Sequence, residues 1–181
     1  MTMPAYPADV LHRAARIRLI GFDVDGTLTD GRLLYGTDGH EAKGFHVQDG
    51  MGFTLLRHAG ITTALVTARI SPVVERRGRE LQVPHIHTAE RSKLACMQRI
   101  AAGMGIGMDE VAFMGDDLPD LATLRGVGLA IAPANAHHWV LPAAHWVTPR
   151  NGGGGAARDT CDLLLHAQGK VEAILAHGEH P

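Results

Sequence analysis

Aromatic residues are scarce in this chain: Phe, Tyr and Trp together make up 4% of 181 residues. Rings cannot fill the interior, so Ala, Leu, Ile and Val must do so, between the tight turns that 22 glycines permit. Cysteine is nearly absent. Cys96 and Cys161 lie far apart in helical-looking segments and form neither a CxxC pair nor a framework, which points to two buried thiols in a reducing compartment. Neither sign of charge is in excess, with 17 Lys+Arg against 19 Asp+Glu for a net charge of −2, and this excludes a basic nucleic-acid groove. No apolar run reaches the ~18 residues of a membrane span, and the N-terminus lacks the continuous apolar segment of a secretion signal. Charged residues at 20% and apolar residues at 45% exclude disorder and fibre. The length fits one domain of the usual roughly 100–200 residues. The expectation is a single cytoplasmic domain over residues 1–181.

What is present alternates. After a short helical stretch around Asp9–Arg16, the apolar run Ile17–Phe22 ends on Asp23, the pattern of a buried strand. Leu33–Tyr35 and Glu41–Val47 flank Asp38-Gly39 and predict a hairpin, about 31–47. A helix follows with Asp49 as N-cap and Gly60 as its stop. Ile61–Val66 reads as a strand, Ser71-Pro72 opens a helix to Leu81, His85–His87 is a short strand, and Glu90–Ala102 is a helix. Val111–Met114, a helix near Pro119–Leu124, a strand at Gly128–Ile131 and one long helix at Ala156–His177 complete the series. Strands alternating with helices predict an α/β fold: a Rossmann-like, mainly parallel sheet with helices on both faces. The run Gly152–Gly155 reads equally well as a flexible connector or as a loop of close approach.

Ligands of open α/β sheets bind outside the carboxyl ends of strands. Three predicted strands end there in polar groups: Asp23-Val24-Asp25-Gly26-Thr27, Thr67-Ala68-Arg69, and Gly115-Asp116-Asp117-Leu118-Pro119-Asp120. One aspartate at a strand end is usually a turn or cap residue. Several converging on one crevice would repel unless a cation sat among them, and oxygen ligands of this kind suit Mg²⁺. Asp23 and Asp25, two apart on an extended chain, can divide covalent attack and proton transfer between them. Lys93, opening a helix after Ser92, can supply positive charge for phosphoryl oxygens, although a lysine there is more often a solvated surface group. The twelve histidines include His85 and His87 on one strand and the adjacent His137-His138, but no HExxH or Cys/His quartet spacing supports a zinc site.

In this order, Asp23-Val24-Asp25-Gly26-Thr27, Thr67, Lys93 and Gly115-Asp116-Asp117-x-x-Asp120 resemble the four-motif signature of the haloacid dehalogenase superfamily. Lys43–Gly50, Val74–Arg77 and Cys161–Lys170 extend the likeness to its capless phosphatases of 3-deoxy-D-manno-octulosonate 8-phosphate, over most of residues 18–170. The resemblance implies Asp23 as nucleophile and Asp25 as the acid that protonates the leaving alcohol and then activates water. It implies Thr67 and Lys93 as phosphate-binding residues, and Mg²⁺ held by Asp23, the Asp25 backbone carbonyl and Asp116. Asp117 and Asp120 would be supporting carboxylates. Arg69 would meet the substrate carboxylate, and relatives acting on a nine-carbon sugar acid phosphate tend to carry Glu there. The chain departs from the family pattern at Ala68, His46, Gln48 and Gly154, although Arg158 remains.

Asp30 to Asp49 leaves room for a hairpin only, and Arg69 to Lys93 for a helix and a short strand, so no lid domain is inserted. The resemblance implies a homotetramer whose hairpins cover neighbouring sites, with Arg77 reaching a neighbour. A phosphatase of lipopolysaccharide precursor synthesis is the expectation, with a small-molecule sugar acid phosphate as partner and neither nucleic acid nor membrane. Two alternatives stand beside it: a phosphatase of nine-carbon or broader sugar phosphates, and a phosphorylatable receiver-like module. Asp25 beside the nucleophile would hydrolyse a phosphoenzyme and so disfavours a lasting signal.

Overall fold

A computed structural model describes residues 5–176. Helix α1 (Ala8–Ala14) leads into β1 (Leu19–Phe22), and the hairpin β2 (Leu34–Tyr35) and β3 (Glu41–Ala42) precedes α2 (Val47–His58). Then come β4 (Thr62–Val66), α3 (Pro72–Glu80), β5 (His85–His87), α4 (Lys93–Met104), β6 (Val111–Met114) and α5 (Leu121–Gly126). The series ends with β7 (Leu129–Ala132), β8 (Trp146–Val147), α6 (Ala156–Ala167) and α7 (Val171–Ala176). Six strands form one sheet in the order β5-β4-β1-β6-β7-β8, and every pairing in it is parallel. The expected parallel α/β architecture is what the chain adopts.

Buried residues on both faces explain the uninterrupted apolar strands. Ile20, Phe22, Ala112 and Met114 join one core with Phe53, Leu56 and Leu164. Their strand neighbours Leu19, Val111 and Phe113 join the other with Met97, Ile100 and Leu124, as period-two alternation requires. Phe22 and Phe53 pack with ring centroids 4.8 Å apart, and truncating either to Ala would cost on the order of 3–5 kcal/mol. Three rings, Phe22, Phe53 and Phe113, are fully buried and serve the two cores.

Chain order fixes where a ligand must go. From β1 the chain steps outward through β4 to β5, then crosses back and steps the other way through β6, β7 and β8. The reversal lies between β1 and β6, and the crevice at their carboxyl ends is the binding position of such folds.

Four local readings change. Asp49 is not the N-cap of α2: His46 occupies that position, and Asp49 lies in the first turn. Its Oδ1 instead accepts the Arg158 backbone N–H of α6 at 2.8 Å, so it caps another helix and ties α2 to α6. The long helix at Ala156–His177 is broken at Gly169, whose φ of +65° ends α6 before α7 begins, and His177 lies outside the described residues. Strand β8 was not expected, because it carries no apolar run of strand length. The hairpin is shorter than expected, with β3 ending at Ala42, while Leu33, Leu34 and Tyr35 are exposed on it.

Candidate active site

At the end of β1, Asp23 continues the sheet by donating its backbone N–H to the Met114 carbonyl at 2.9 Å, so its side chain emerges beside the end of β6. Asp116 lies two residues beyond β6 and Thr67 one beyond β4, while Lys93 opens α4. Asp23, Asp25, Thr67, Arg69, Lys93, Asp116, Asp117 and Asp120 all line one cleft of about 190 Å³. Carboxylate oxygens of Asp23, Asp116 and Asp120 lie within 4.8 Å of one another. Lys93, 3% exposed, puts its Nζ 2.6 Å from Asp23 Oδ1 and 2.6 Å from Asp120 Oδ1. It is no solvated surface lysine.

Burial and like charge dominate the electrostatics of this arrangement. Burial, then the neighbouring Asp120 charge, outweigh Lys93 and push the Asp23 carboxyl up to about 8. Burial likewise raises Asp116 to about 6, against the pull of the Thr27 hydroxyl. Lys93 is raised: burial alone would lower it, but Asp23 and Asp120 together reverse that. Three carboxylates against one ammonium leave the cluster short of positive charge. A hard divalent cation fits this all-oxygen donor set, and Mg²⁺, which takes few protein carboxylates and keeps water, fits it well. Such an ion would favour the ionised form of Asp23.

Neighbouring loops hold these groups. Gly26 has a φ of +93°, and a Cβ there would overlap the Asp116 carboxylate, at 2.6 Å from its Cγ, so only glycine lets this turn pass Asp116. Thr27 Oγ1 donates to Asp116 Oδ1 at 2.9 Å. Asp120 Oδ2 accepts the backbone N–H of Asp116 at 3.0 Å and of Asp117 at 3.3 Å. Asp117 accepts the Leu118 N–H at 2.7 Å and caps the following turn. The glycine run proves to be a loop of close approach: Gly153 N–H donates to Thr27 O at 3.1 Å, and a Cβ on Gly152 would overlap the Gly26 carbonyl. Ala68 is tolerated because it does not adopt a positive φ.

The hairpin adds residues to which sequence reasoning assigned no role. Lys43, buried just past β3, contacts Asp25 Oδ1, and its Nζ lies 3.2 Å from Glu41 Oε1. Arg69 is already engaged: its Nη2 donates to Tyr35 Oη and to Glu41 Oε1, both at 2.9 Å. Lys43 had one signal, its place three residues before the α2 N-cap on the return strand of a hairpin leading to the site. Arg77 does not line this cleft. It sits over the Phe45 ring, 5.8 Å from its centroid, and 3.6 Å from Glu80. His85 and His87 have parallel rings 6.3 Å apart at the sheet edge, and neither joins a metal cluster among the described residues. Of the departures, Gln48 accepts from Arg150 at 2.8 Å; Arg158, which the chain retains, pairs with Asp162 at 2.7 Å.

Residues 81–158 match the haloacid dehalogenase-like hydrolase family. The chain is 42% identical to the 3-deoxy-D-manno-octulosonate 8-phosphate phosphatase of Yersinia pestis, over 91% of this chain and 88% of that protein. Among solved structures, a hypothetical protein from Xanthomonas campestris is 49% identical with a TM-score of 0.94, covering 98% of this chain and 100% of that one. The 3-deoxy-D-manno-octulosonate 8-phosphate phosphatase of Moraxella catarrhalis, in complex with magnesium ion, phosphate ion and KDO, is 37% identical with a TM-score of 0.93. Here 95% of this chain and 99% of that one are covered.

Proposed function

Because this chain belongs to the haloacid dehalogenase-like hydrolases, in the group of 3-deoxy-D-manno-octulosonate 8-phosphate phosphatases, we propose that it is a Mg²⁺-dependent phosphomonoesterase of lipopolysaccharide precursor synthesis. It hydrolyses 3-deoxy-D-manno-octulosonate 8-phosphate to the free sugar acid and inorganic phosphate. The observation that carries this reading is the convergence of Asp23 and Asp116, from adjacent strands, on the buried cation Lys93 and on Thr67 in one cleft.

Each residue then has a task. Asp23 attacks phosphorus through a carboxylate oxygen, the bond from phosphorus to the sugar oxygen breaks, and Asp25 gives its proton to the leaving alkoxide. Asp25, now a carboxylate, takes a proton from water as the water oxygen attacks phosphorus, which breaks the Asp23–phosphate bond and restores both side chains. Lys93 and Thr67 hold phosphoryl oxygens throughout, and Asp120 keeps Lys93 in place. Asp23, the Asp25 backbone carbonyl and Asp116 would hold Mg²⁺, which when bound would supply positive charge to offset the phosphoryl oxygens.

Arg69 meets the substrate carboxylate, presenting a guanidinium at the cleft mouth. The active unit is a cytoplasmic homotetramer formed from single domains: the exposed Leu33, Leu34 and Tyr35 of the hairpin are covered by a neighbour, and Arg77 serves the adjacent site. Steady-state hydrolysis of a panel tests the whole reading. The eight-carbon sugar acid phosphate should give the highest kcat/KM, above a nine-carbon analogue and a neutral sugar phosphate. A preference for the nine-carbon acid or a neutral ester would overturn the substrate, and a phosphoenzyme that persists without turnover would overturn the enzyme. Light scattering that reports an active monomer would remove the tetramer.

A further inference from the structure

Two aspartates two residues apart leave the end of β1, and each meets its own buried lysine. Asp23 is held by Lys93 of α4. Asp25 is held by Lys43 of the hairpin, whose side chain is 1% exposed. Lys43 is braced in turn by Glu41, which also accepts from Arg69 Nη2 at 2.9 Å and from the Ser71 hydroxyl at 2.9 Å. Arg69 Nε lies 3.8 Å from Asp25 Oδ2, an ion pair without a hydrogen bond, so of the two cations Lys43 alone hydrogen-bonds the Asp25 carboxylate. The Asp25 carboxylate accordingly stands apart from the cluster of Asp23, Asp116 and Asp120.

An ammonium stripped of water is costly unless close partners replace that water. Lys43 has only carboxylates to do this, and the one it shares with the cleft is Asp25. Without Lys43, only the longer ion pair with Arg69, at 3.8 Å, would remain to hold the Asp25 carboxyl group on the hairpin side.

We infer that Lys43 is a positioning residue: it holds the Asp25 carboxyl group on the hairpin side of the cleft, where Asp25 can reach the leaving oxygen instead of joining the metal ligands. The inference rests on the acid role given to Asp25 above. It makes the hairpin part of the proton-transfer apparatus as well as a cover.

The test compares Lys43→Met with the unaltered protein, both with Mg²⁺, on two esters. One is the alkyl sugar phosphate, whose alkoxide must be protonated to leave; the other is p-nitrophenyl phosphate, whose phenolate leaves without a proton. For both, kcat/KM reports steps up to departure of the leaving group. Lys43→Met should lower kcat/KM on the order of 100-fold for the sugar phosphate and less than about threefold for the aryl ester, the contrast expected when acid help is lost. Equal losses on the two esters, or no loss on either, would overturn the inference. Should Lys43→Met not fold, Lys43→Gln carries the same comparison. Asp25→Asn separates the two layers: if it spares the sugar phosphate, the acid role falls. If it abolishes turnover while Lys43→Met does not, only the role of Lys43 falls.

Discussion

Replacing Gly152 with Ala adds one methyl group at a position that carries no chemistry, and its consequences follow from contacts already described. The new Cβ would overlap the Gly26 carbonyl oxygen, with the Gly26 carbonyl carbon at 2.7 Å and Thr27 O at 3.1 Å. All three are backbone atoms, so no side chain can rotate away. The carbon alone must retreat by about 0.7 Å, from 2.7 Å to the 3.4 Å at which ordinary contact begins. That movement strains the Gly153 N–H to Thr27 O bond and the Gly152 N–H to Asn135 Oδ1 bond of 2.8 Å. Overpacking of about 1–3 kcal/mol and two weakened hydrogen bonds of about 0.5–1.5 kcal/mol each, partly relieved by the loop, amount to about 2–4 kcal/mol. For a chain of this length the melting midpoint should fall by roughly 4–16 °C. Thr27 moves too, and with it the hydroxyl that holds Asp116, so turnover should fall on the order of 100-fold. Gly154→Ala is the internal control, since its Cβ would meet only Asn151 O, at 3.2 Å, and a shift of a few tenths of an ångström suffices. Scanning calorimetry and kcat of both variants decide. Gly152→Ala behaving like Gly154→Ala would refute the close-approach reasoning.

Asp23→Asn keeps the shape of the nucleophile and removes its charge, so kcat should fall by several orders of magnitude at an unchanged melting midpoint, and near-normal turnover would sink the aspartyl-phosphate route. In chelator, stability should fall as pH rises from about 6 to 8. Asp23, pushed up to about 8, keeps its proton in the native state where the unfolded chain has already released one, so each rise in pH favours unfolding until that value is passed. The raised Lys93 loses its proton only well above this window. Mg²⁺ should flatten the slope, and a midpoint that climbs with pH in chelator would contradict the buried-carboxylate cluster. Arg69→Ala should weaken the acidic sugar phosphate by on the order of 1.5–3 kcal/mol, read as a higher KM, and leave a neutral phosphomonoester nearly unaffected. Arg69→Lys should rescue only part, for want of the planar fork; equal losses on both esters would assign Arg69 to the phosphate or to the hairpin.

The sequence made legible whatever depends on short spacing. Asp23 and Asp25, Thr67 and Arg69, and Asp116 through Asp120 follow strands whose apolar runs mark them, and the sheet brings all of them to one cleft. Contacts that depend on chain crossing were not legible. Asp49 looked like the cap of its own helix because Asp near a helix start usually is; only the docking of α6 on α2 gives it the Arg158 N–H instead. Lys43 lies 18 residues past Asp25 in a hairpin that the sequence predicts, but nothing in that spacing says that the hairpin folds back over Asp25. Gly169 does not announce a break in the last helix, because the apolar spacing continues beyond it.

The site is stitched across great lengths of chain: Thr27 to Asp116 over 89 residues, Asp49 to Arg158 over 109. A growing polypeptide therefore displays Asp23 long before Lys93, Asp116 and Asp120 exist. Contacts this distant in sequence form late, because much loop entropy must be lost before they can. The crowding of like charges is postponed in the same way, since β6 must dock on β1 before Asp116 and Asp120 approach Asp23. Even a chain that has completed β7 lacks the loop that packs over the Gly26 turn. The acidic cluster thus belongs to the end of assembly and cannot serve as its nucleus.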